Sequence, residues 1–324
     1  MQFRTELNIR SFAPKLKLES AVLSIGSCFA NTIGDKMRAY KFNVLVNPFG
    51  IVFNPISIFD LLQVSKINST LFIQNQDKWY SYLHHSEINA HSTDELQGNI
   101  DQINQKVLNC IQSTDYLIIT LGSAWVYKLK GNDKVVANCH KMPSNLFDKY
   151  LLTVSEIIKS FDTLHTHLKS TNSNLNFIFT VSPVRHLKDT IELNAVSKSV
   201  LRLACYELTK KYEDVNYFPA FEIMMDDLRD YRFYKPDMIH PNEVAEDYIW
   251  QKWSENYFDT PTLDFIDEWK SIKNAINHKP FDVQSVQYQE FVKNQIEKLN
   301  LLSKMADVTE ELRYFNSFTL NPSP

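Results

Sequence analysis

The chain of 324 residues is 44% hydrophobic and 13% aromatic, which supplies a buried core and excludes an intrinsically disordered protein. Its net charge of −4 argues against general nucleic-acid binding, because contacts to phosphates need a surplus of Lys and Arg on some face. With only six glycines, the chain has no glycine-rich phosphate loop and no collagen-like repeat.

The cysteines and the N-terminal segment bear on the cellular compartment. The four cysteines form no C-x-x-C pair, which disfavours a zinc ribbon or a thioredoxin-type motif and favours buried free thiols. The first 20 residues carry charges and lack the apolar segment of a secretory signal. No run approaches the ~18 apolar residues of a membrane span. We therefore expect a cytoplasmic protein that does not enter a membrane.

Short apolar runs alternate with helix-periodic segments through the first two thirds of the chain. The runs predict five strands, at 21–25, 43–46, 115–120, 176–181 and 215–218. Strands separated by helices indicate βαβ units and a mostly parallel sheet. The predicted fold class is α/β, a doubly wound three-layer α/β/α sandwich with about five strands.

The pattern changes after Pro241. Asn242 can cap a helix that runs to about residue 258, and a second helix opens at Pro261 and ends at Pro280. A further helix carries Tyr288 and the apolar residues that follow it. We therefore predict a main domain over 1–258 and an all-helical extension over 259–324. The apolar stripes of this extension must be buried. The extension can pack on the main domain, as a lid near the cleft or as a buttress, or it can pack against a second copy in a homodimer, which is the option that we favour.

The segment that joins the first strand to the first helix contains a candidate nucleophile. Gly26 permits a sharp turn and places Ser27 at the helix N-terminus, where unpaired N–H groups and the helix dipole favour developing negative charge. A serine nucleophile suits this position, although Ser27 equally suits the role of a simple N-cap. Cys28 is the competing nucleophile, and we interpret it as a thiol that packs beside Phe29.

A second candidate group lies between Pro236 and Pro241. Asp237 and His240 are three residues apart and can share one face of a helical turn. An aspartate so placed can hold the imidazole through Nδ1–H and leave Nε2 free as a base. The alternative is a turn with an ordinary surface histidine. The chain order Ser27, Asp237, His240 makes a catalytic triad the more specific hypothesis.

Further polar residues are candidates for binding an oxyanion or a substrate. Gly50 stands between two Asn-Pro pairs, where its backbone N–H could approach an oxyanion, and the alternative is a rigid turn that packs Phe49 and Phe53. The other candidates follow later strands or stand in polar segments: Gly122, Ser123, His85, Asn138 and His140. The histidines show no metal-binding spacing, so no metal site and no cofactor are predicted.

These segments together resemble a known family. GSCFA at 26–30, NPFGIVFNP at 47–55, LGSAWVY at 121–127, NCHKMP at 138–143 and SPVRH at 182–186 are similar, in this order, to the blocks of the GSCFA domain family, over about residues 3–258. That family is placed among the SGNH (GDSL-like) hydrolases, which have a flavodoxin-like sandwich. The resemblance implies Ser27 as nucleophile, Asp237 and His240 as the rest of the triad, and Gly50 as an oxyanion-hole glycine.

One position departs from the SGNH pattern. The Gly-x-Asn pair after the third strand, whose asparagine helps to bind the oxyanion, is Gly122-Ser123-Ala124 here. Either Ser123, Asn138, His85 or His140 replaces that donor, or the oxyanion hole is weaker. Losing one donor typically costs about 10²–10³ in rate.

The leading functional hypothesis is a serine esterase that acts on a small acylated molecule, such as an O-acetylated carbohydrate. Acyl transfer to a sugar hydroxyl would use the same triad and stays open. A non-catalytic module that binds a glycan or a protein is the rival from another class, and the missing asparagine favours it. A metal-dependent hydrolase that uses the histidines is the remaining alternative.

Overall fold

A computed structural model describes residues 4–63, 69–132 and 134–319. The elements up to the middle of the chain are β1 Val22–Gly26, α1 Cys28–Ala39, β2 Val44–Val46, α2 Pro55–Leu62, β3 Phe72–Asn75, β4 Lys78–Ser81, β5 Asn89–Ala90, α3 Thr93–Ser113, β6 Tyr116–Leu121, β7 Trp125–Leu129, β8 Val135–Val136 and β9 Phe147–Leu151. The later elements are α4 Val154–Thr171, β10 Asn176–Val181, α5 Ile191–Lys211, β11 Val215–Phe218, α6 Ala220–Glu222, α7 Glu243–Tyr257, α8 Thr260–Asn277, α9 Val286–Leu302 and α10 Thr309–Asn316.

The five predicted strands form one central, all-parallel sheet in the order β11-β10-β6-β1-β2. The three innermost strands are apolar and almost entirely buried, as strands covered on both faces must be. Numbered by position in the chain, the central strands run 2-1-3-4-5, which is the flavodoxin-like order. The predicted α/β class and the parallel sheet are confirmed.

Helices cover both faces of this sheet. One apolar cluster joins α2, α4 and α5 to the face that carries Leu23, Ile119 and Phe179. The other joins α1, α7 and the C-terminal helices to the face that carries Val22 and Ile118. The helix predicted after Pro241 begins as expected, because the Asn242 side chain accepts a hydrogen bond from the Ala245 N–H.

Two small antiparallel sheets were not predicted. One has the order β3-β4-β5 and the other β8-β7-β9. Their strands have two to five residues, and the polar residues among them break the apolar runs that marked the central strands. These sheets hold the segments that contain His85, Asn138 and His140 outside the central sandwich.

The C-terminal helices bury their apolar stripes within the chain itself. Trp269, on α8, is 2% exposed, and its indole N–H donates to the Ala39 carbonyl at the end of α1. Lys41 forms an ion pair with Glu311 on α10, a helix that the sequence patterns did not predict. The stripes therefore give no support to a homodimer, because this chain already covers them. Among the described residues, no helix is long and apolar enough to cross a bilayer.

Candidate functional site

Ser27 lies where β1 ends and α1 begins, beside the strand β6. This is the point at which the strand order reverses, where open α/β sheets bind their ligands. Ser27 occupies the N-cap position of α1, yet its side chain makes no capping hydrogen bond. Its Oγ is buried and has no hydrogen-bond partner. The simple N-cap interpretation therefore does not account for this hydroxyl.

Backbone contacts fix the turn that presents Ser27. Gly26 has φ +141°, and a Cβ there would lie 2.2 Å from the Thr120 carbonyl oxygen. The Asn47 side chain accepts the Gly26 N–H at 2.8 Å, while the Ser27 N–H donates to the Thr120 carbonyl at 3.0 Å. The hydroxyl position is thus set by the close approach of β1 and β6. The Ser27 N–H is already engaged and does not point freely at a ligand.

Asp237 and His240 form the pair that the sequence predicted. The Asp237 carboxylate contacts Nδ1 of His240 at 2.7 Å and accepts the backbone N–H groups of Ile239 and His240 at 2.9 and 3.0 Å. These N–H groups and the imidazole lower the pKa of Asp237 to about 2. The carboxylate is therefore ionised at neutral pH and holds the ring through Nδ1. This is the orientation that leaves Nε2 available to accept a proton.

Two loops hold this pair against the end of the sheet. The Arg185 N–H donates to the Ile239 carbonyl at 3.2 Å, and the Arg185 guanidinium stacks 4.1 Å from the centre of the Tyr234 ring. Tyr234 also pairs with Pro241 in a short antiparallel bridge. Ser27 Oγ and His240 are not hydrogen-bonded to each other in this conformation. The triad hypothesis predicts that Ser27 Oγ and the His240 ring lie within hydrogen-bond reach or one water of it. The direct bond is absent here, and catalytic hydrogen bonds are often long until a substrate binds, so the pairing stays a prediction.

His186 borders Ser27 and was not predicted as a site residue. A Cβ added to Gly122 would lie 3.2 Å from His186 Nε2 and 3.3 Å from Ser27 Cβ, so both side chains face the same glycine. Nε2 of His186 is buried and has no hydrogen-bond partner. Burial, with smaller repulsion from Lys198 and His240, lowers the pKa of His186 to about 4. The SPVRH block is the sequence signal that could have identified it.

Lys198, on α5, is the second residue that sequence reasoning missed. It is 1% exposed, and its ammonium donates to the carbonyl oxygens of Gly122 and Ser182, at 2.8 and 2.7 Å. These carbonyls follow β6 and β10, so one side chain joins the ends of two neighbouring strands. Burial lowers the pKa of Lys198 to about 7. Lys198 lies in an amphipathic helix that contains no recognisable motif, so no sequence pattern marked it as a site residue.

The backbone N–H groups of the predicted oxyanion residues Gly50, Gly122 and Ser123 are already engaged. Gly122 borders Ser27, but its N–H and that of Ser123 both donate to the Phe53 carbonyl, at 2.8 and 3.1 Å. The Gly50 N–H donates to the Asn47 carbonyl at 2.8 Å. Gly50 has φ +72°, and a Cβ there would lie 2.4 Å from His85 Cβ, so close packing also requires glycine here.

The remaining candidates have structural partners. The Ser123 hydroxyl accepts the Trp125 N–H at 3.0 Å. Asn138 accepts the His140 N–H at 2.8 Å, and His140 Nε2 contacts the Ser81 carbonyl at 2.8 Å. These contacts shape the loops beside the small sheets. None of the contacts described for His85, Asn138 and His140 reaches Ser27. Their role in binding a ligand therefore stays a prediction.

Cys28 was predicted to be a buried packing thiol. Its exposure is intermediate, and burial raises its pKa, which disfavours the thiolate. All four cysteines are free, and Cys205 is fully buried. Cys28 therefore lacks the lowered pKa of a reactive cysteine.

The fold and the site define an α/β/α sandwich protein with an unpaired serine at the switch point of its sheet and an Asp–His pair on a neighbouring loop. Residues 21–253 match the model of the GSCFA family, and the chain belongs to this family. Residues 269–319 match the C-terminal domain of GSCFA domain proteins, so the helical extension has a family description of its own. Comparison with curated proteins gave no match.

Proposed function

We propose that this protein is a serine hydrolase of the SGNH type that cleaves esters of small acylated molecules. The observation that carries the proposal is Ser27 Oγ, which is buried and unbonded at a helix N-terminus. Leaving a buried hydroxyl unpaired costs about 1–3 kcal/mol, a cost that folding alone does not explain. Unsatisfied polar groups of this kind are typical of sites where a ligand supplies the missing partner.

The proposed reaction uses three side chains. Ser27 Oγ forms a bond to the ester carbonyl carbon, the carbonyl π pair moves to its oxygen, and Nε2 of His240 accepts the serine proton. The intermediate then expels the alkoxide, which takes this proton from His240, and leaves an acyl-enzyme. Water repeats the sequence and releases the acid. Asp237 supports the positive charge on the imidazole, which its 2.7 Å contact with Nδ1 favours.

Access to Ser27 requires a side chain to move. Ser27 is 2% exposed, and both Phe53 and His186 border the space beside it. The Phe53 and His186 rings lie 5.5 Å apart, centre to centre. A small acyl group such as acetyl needs the least rearrangement of these rings, which favours O-acetylated substrates over long-chain esters. A sugar hydroxyl in place of water would turn the same steps into acyl transfer.

The experiment is fluorophosphonate labelling of the native protein, with the labelled peptide identified by mass spectrometry. We expect one label, on Ser27, because the reagent needs a serine activated by a base. Ser27→Ala should abolish both the label and the turnover of p-nitrophenyl acetate and acetylated sugars. Ser199→Ala, which removes an exposed serine on α5, is the matched control and should retain both.

A wild-type protein that takes no label and hydrolyses no ester would contradict the proposal. Labelling that persists in Ser27→Ala would contradict it equally. The first result would favour the non-catalytic binding module, which keeps the fold but not the chemistry. The second would indicate a nucleophile other than Ser27. Turnover abolished by a chelator would instead favour the metal-dependent hydrolase.

A further inference from the structure

Gly122 lies between two side chains that each carry a buried polar atom without a partner. These atoms are Ser27 Oγ and Nε2 of His186. A Cβ at position 122 would lie 3.3 Å from Ser27 Cβ and 3.2 Å from His186 Nε2 and would overlap Phe53 Cβ at 2.6 Å. A polar group of a ligand that enters when the Phe53 side chain moves would have both unpaired side chains beside it. The carbonyl oxygen of an ester attacked by Ser27 is such a group.

The backbone around His186 is anchored. The His186 N–H donates to the buried Asn194 side chain at 2.9 Å, so the loop is tied to the first turn of α5. On the other side, the Arg185 N–H donates to the Ile239 carbonyl of the loop that carries His240. The His186 backbone is therefore tied to the loop of the predicted base, while its ring stays free to adjust to a substrate.

Three backbone donors around Ser27 are already engaged. The N–H groups of Ser27, Gly50 and Gly122 donate to the carbonyl oxygens of Thr120, Asn47 and Phe53, respectively. Apart from the first-turn N–H groups of α1, an oxyanion at Ser27 therefore depends on a side chain for a donor. Within the part of the chain that the structure describes, His186 is the neighbour of Ser27 whose buried ring nitrogen is free to supply one.

We propose that His186 donates its Nε2–H to the oxyanion that forms when Ser27 attacks an ester, the role that an asparagine has in SGNH enzymes. This inference rests on the proposed function. When the Ser27 Oγ–carbon bond forms, the electron pair that leaves the carbonyl π bond comes to rest on the oxygen bound by Nε2–H. His186 keeps its proton throughout, and the serine proton goes to His240.

The two histidines have environments that suit different roles. Asp237 holds His240 through Nδ1, which leaves Nε2 to accept a proton. His186 has no carboxylate hydrogen-bonded to its Nε2, and burial, with smaller repulsion from Lys198 and His240 and with Asp189 opposing, disfavours its protonation. A ring with a pKa of about 4 is a poor proton acceptor at pH 7, and its neutral form can keep a proton on Nε2 and donate it in a hydrogen bond. One imidazole is thus arranged to accept a proton and the other to hold one.

The test compares His186→Ala with His186→Gln, which keeps a side-chain N–H. Fluorophosphonate labelling of wild-type Ser27 is measured first, and then kcat and KM for p-nitrophenyl acetate. The affinity for an alkyl boronic acid, whose serine adduct mimics the tetrahedral intermediate, is measured in parallel. His167→Ala, which removes an exposed histidine on α4, is the control.

We expect His186→Ala to lower kcat by about 10²–10³ with KM within about threefold, and to weaken boronate binding by a similar factor. His186→Gln should recover at least tenfold of both losses, and His167→Ala should match the wild type. A purely structural role would instead lower the melting temperature of both variants and would not be rescued by Gln.

Three results would overturn the inference. The first is a wild type that labels at Ser27 while His186→Ala retains kcat within about threefold. The second is a loss of kcat without a matching loss of boronate affinity, which would place His186 outside the oxyanion site. The third is a wild type that takes no label at Ser27, which would overturn the proposed function together with this inference.

Discussion

The carboxyl end of the central sheet and the sheet face that packs against the C-terminal helices bury very different groups. The first region buries a serine hydroxyl, an imidazole nitrogen and the ammonium of Lys198. The second region buries mainly apolar side chains, with aromatic stacks such as Trp253 on Tyr257, with ring centres 4.3 Å apart, and Phe265 on Trp269, at 5.7 Å. It too contains buried atoms without partners, among them Trp253 Nε1 and Gln295 Oε1, but no histidine or lysine among its described buried side chains. Apolar burial stabilises a fold, whereas unpaired polar groups weaken it.

Together with the proposed function, this difference predicts a division between stability and activity within one chain. The C-terminal helices extend the apolar core on the side of α1 and α7, and they contribute none of the side chains described around Ser27. The region around Ser27 keeps polar groups that cost folding free energy. Substitutions in the two regions should therefore have separable effects.

The largest expected effect on stability comes from Trp269→Ala. It removes a side chain that is 2% exposed, together with its hydrogen bond to Ala39, and should lower the free energy of unfolding by about 3–5 kcal/mol. Urea denaturation measures this change, with Lys270→Ala as an exposed control on the same helix. Fluorophosphonate labelling per folded molecule should not change, and a loss of labelling in the folded variant would contradict the separation of the two regions.

Acidification should lower the stability of the region around Ser27 through His186. Its pKa is about 4 in the folded chain and 6.5 in the ordinary case, so between these values the unfolded state binds more protons. Stability therefore falls as the pH is lowered from 6.5 to 4, by up to about 3 kcal/mol from this residue. His186→Gln should make the pH dependence of the free energy of unfolding shallower over this range. Parallel curves for wild type and variant would show that the ring is not buried in its neutral form.

The smallest expected effect on stability follows from Asp237→Asn. The carboxylate is half exposed, so its loss should hardly change the free energy of unfolding. It should lower kcat by about 10²-fold, because the imidazolium of His240 loses its anionic partner. Steady-state kinetics with p-nitrophenyl acetate measures this, and Asp230→Asn, at an exposed aspartate nearby, is the control. An unchanged kcat would remove Asp237 from the mechanism.

The central sheet could be predicted from sequence because its strands are buried on both faces. Runs such as Tyr116–Leu121 and Asn176–Val181 are mostly apolar, and their predicted bounds differ from the observed ones by one residue at most. Asn242 marked the start of α7 because its side chain caps that helix. The small sheets were not predicted because their strands are short. A strand such as β4 has too few residues to show a clear alternation of polar and apolar side chains.

The Asp237–His240 pair could be predicted because both residues lie on one turn, where spacing in sequence fixes spacing in the structure. His186 and Lys198 could not be predicted in this way. Their relation to Ser27 depends on three strands meeting at one edge, with α5 passing beneath the loops. Ser27 and His186 are 159 positions apart in the chain (186 − 27), and Lys198 binds the Gly122 carbonyl, 76 positions away, so spacing along the sequence does not reveal these relations.

Gly26 restricts the substitutions that this chain can accept during evolution. A methyl group at this position would meet the Thr120 carbonyl oxygen at 2.2 Å, and the backbone there already has a φ that side chains disfavour. In a saturation library, position 26 should therefore tolerate glycine alone, whatever activity is selected. The spacing between β1 and β6 should therefore stay the same in all variants of this chain that fold. New substrate preferences must then arise from changes in the surrounding loops rather than from a shift of the serine.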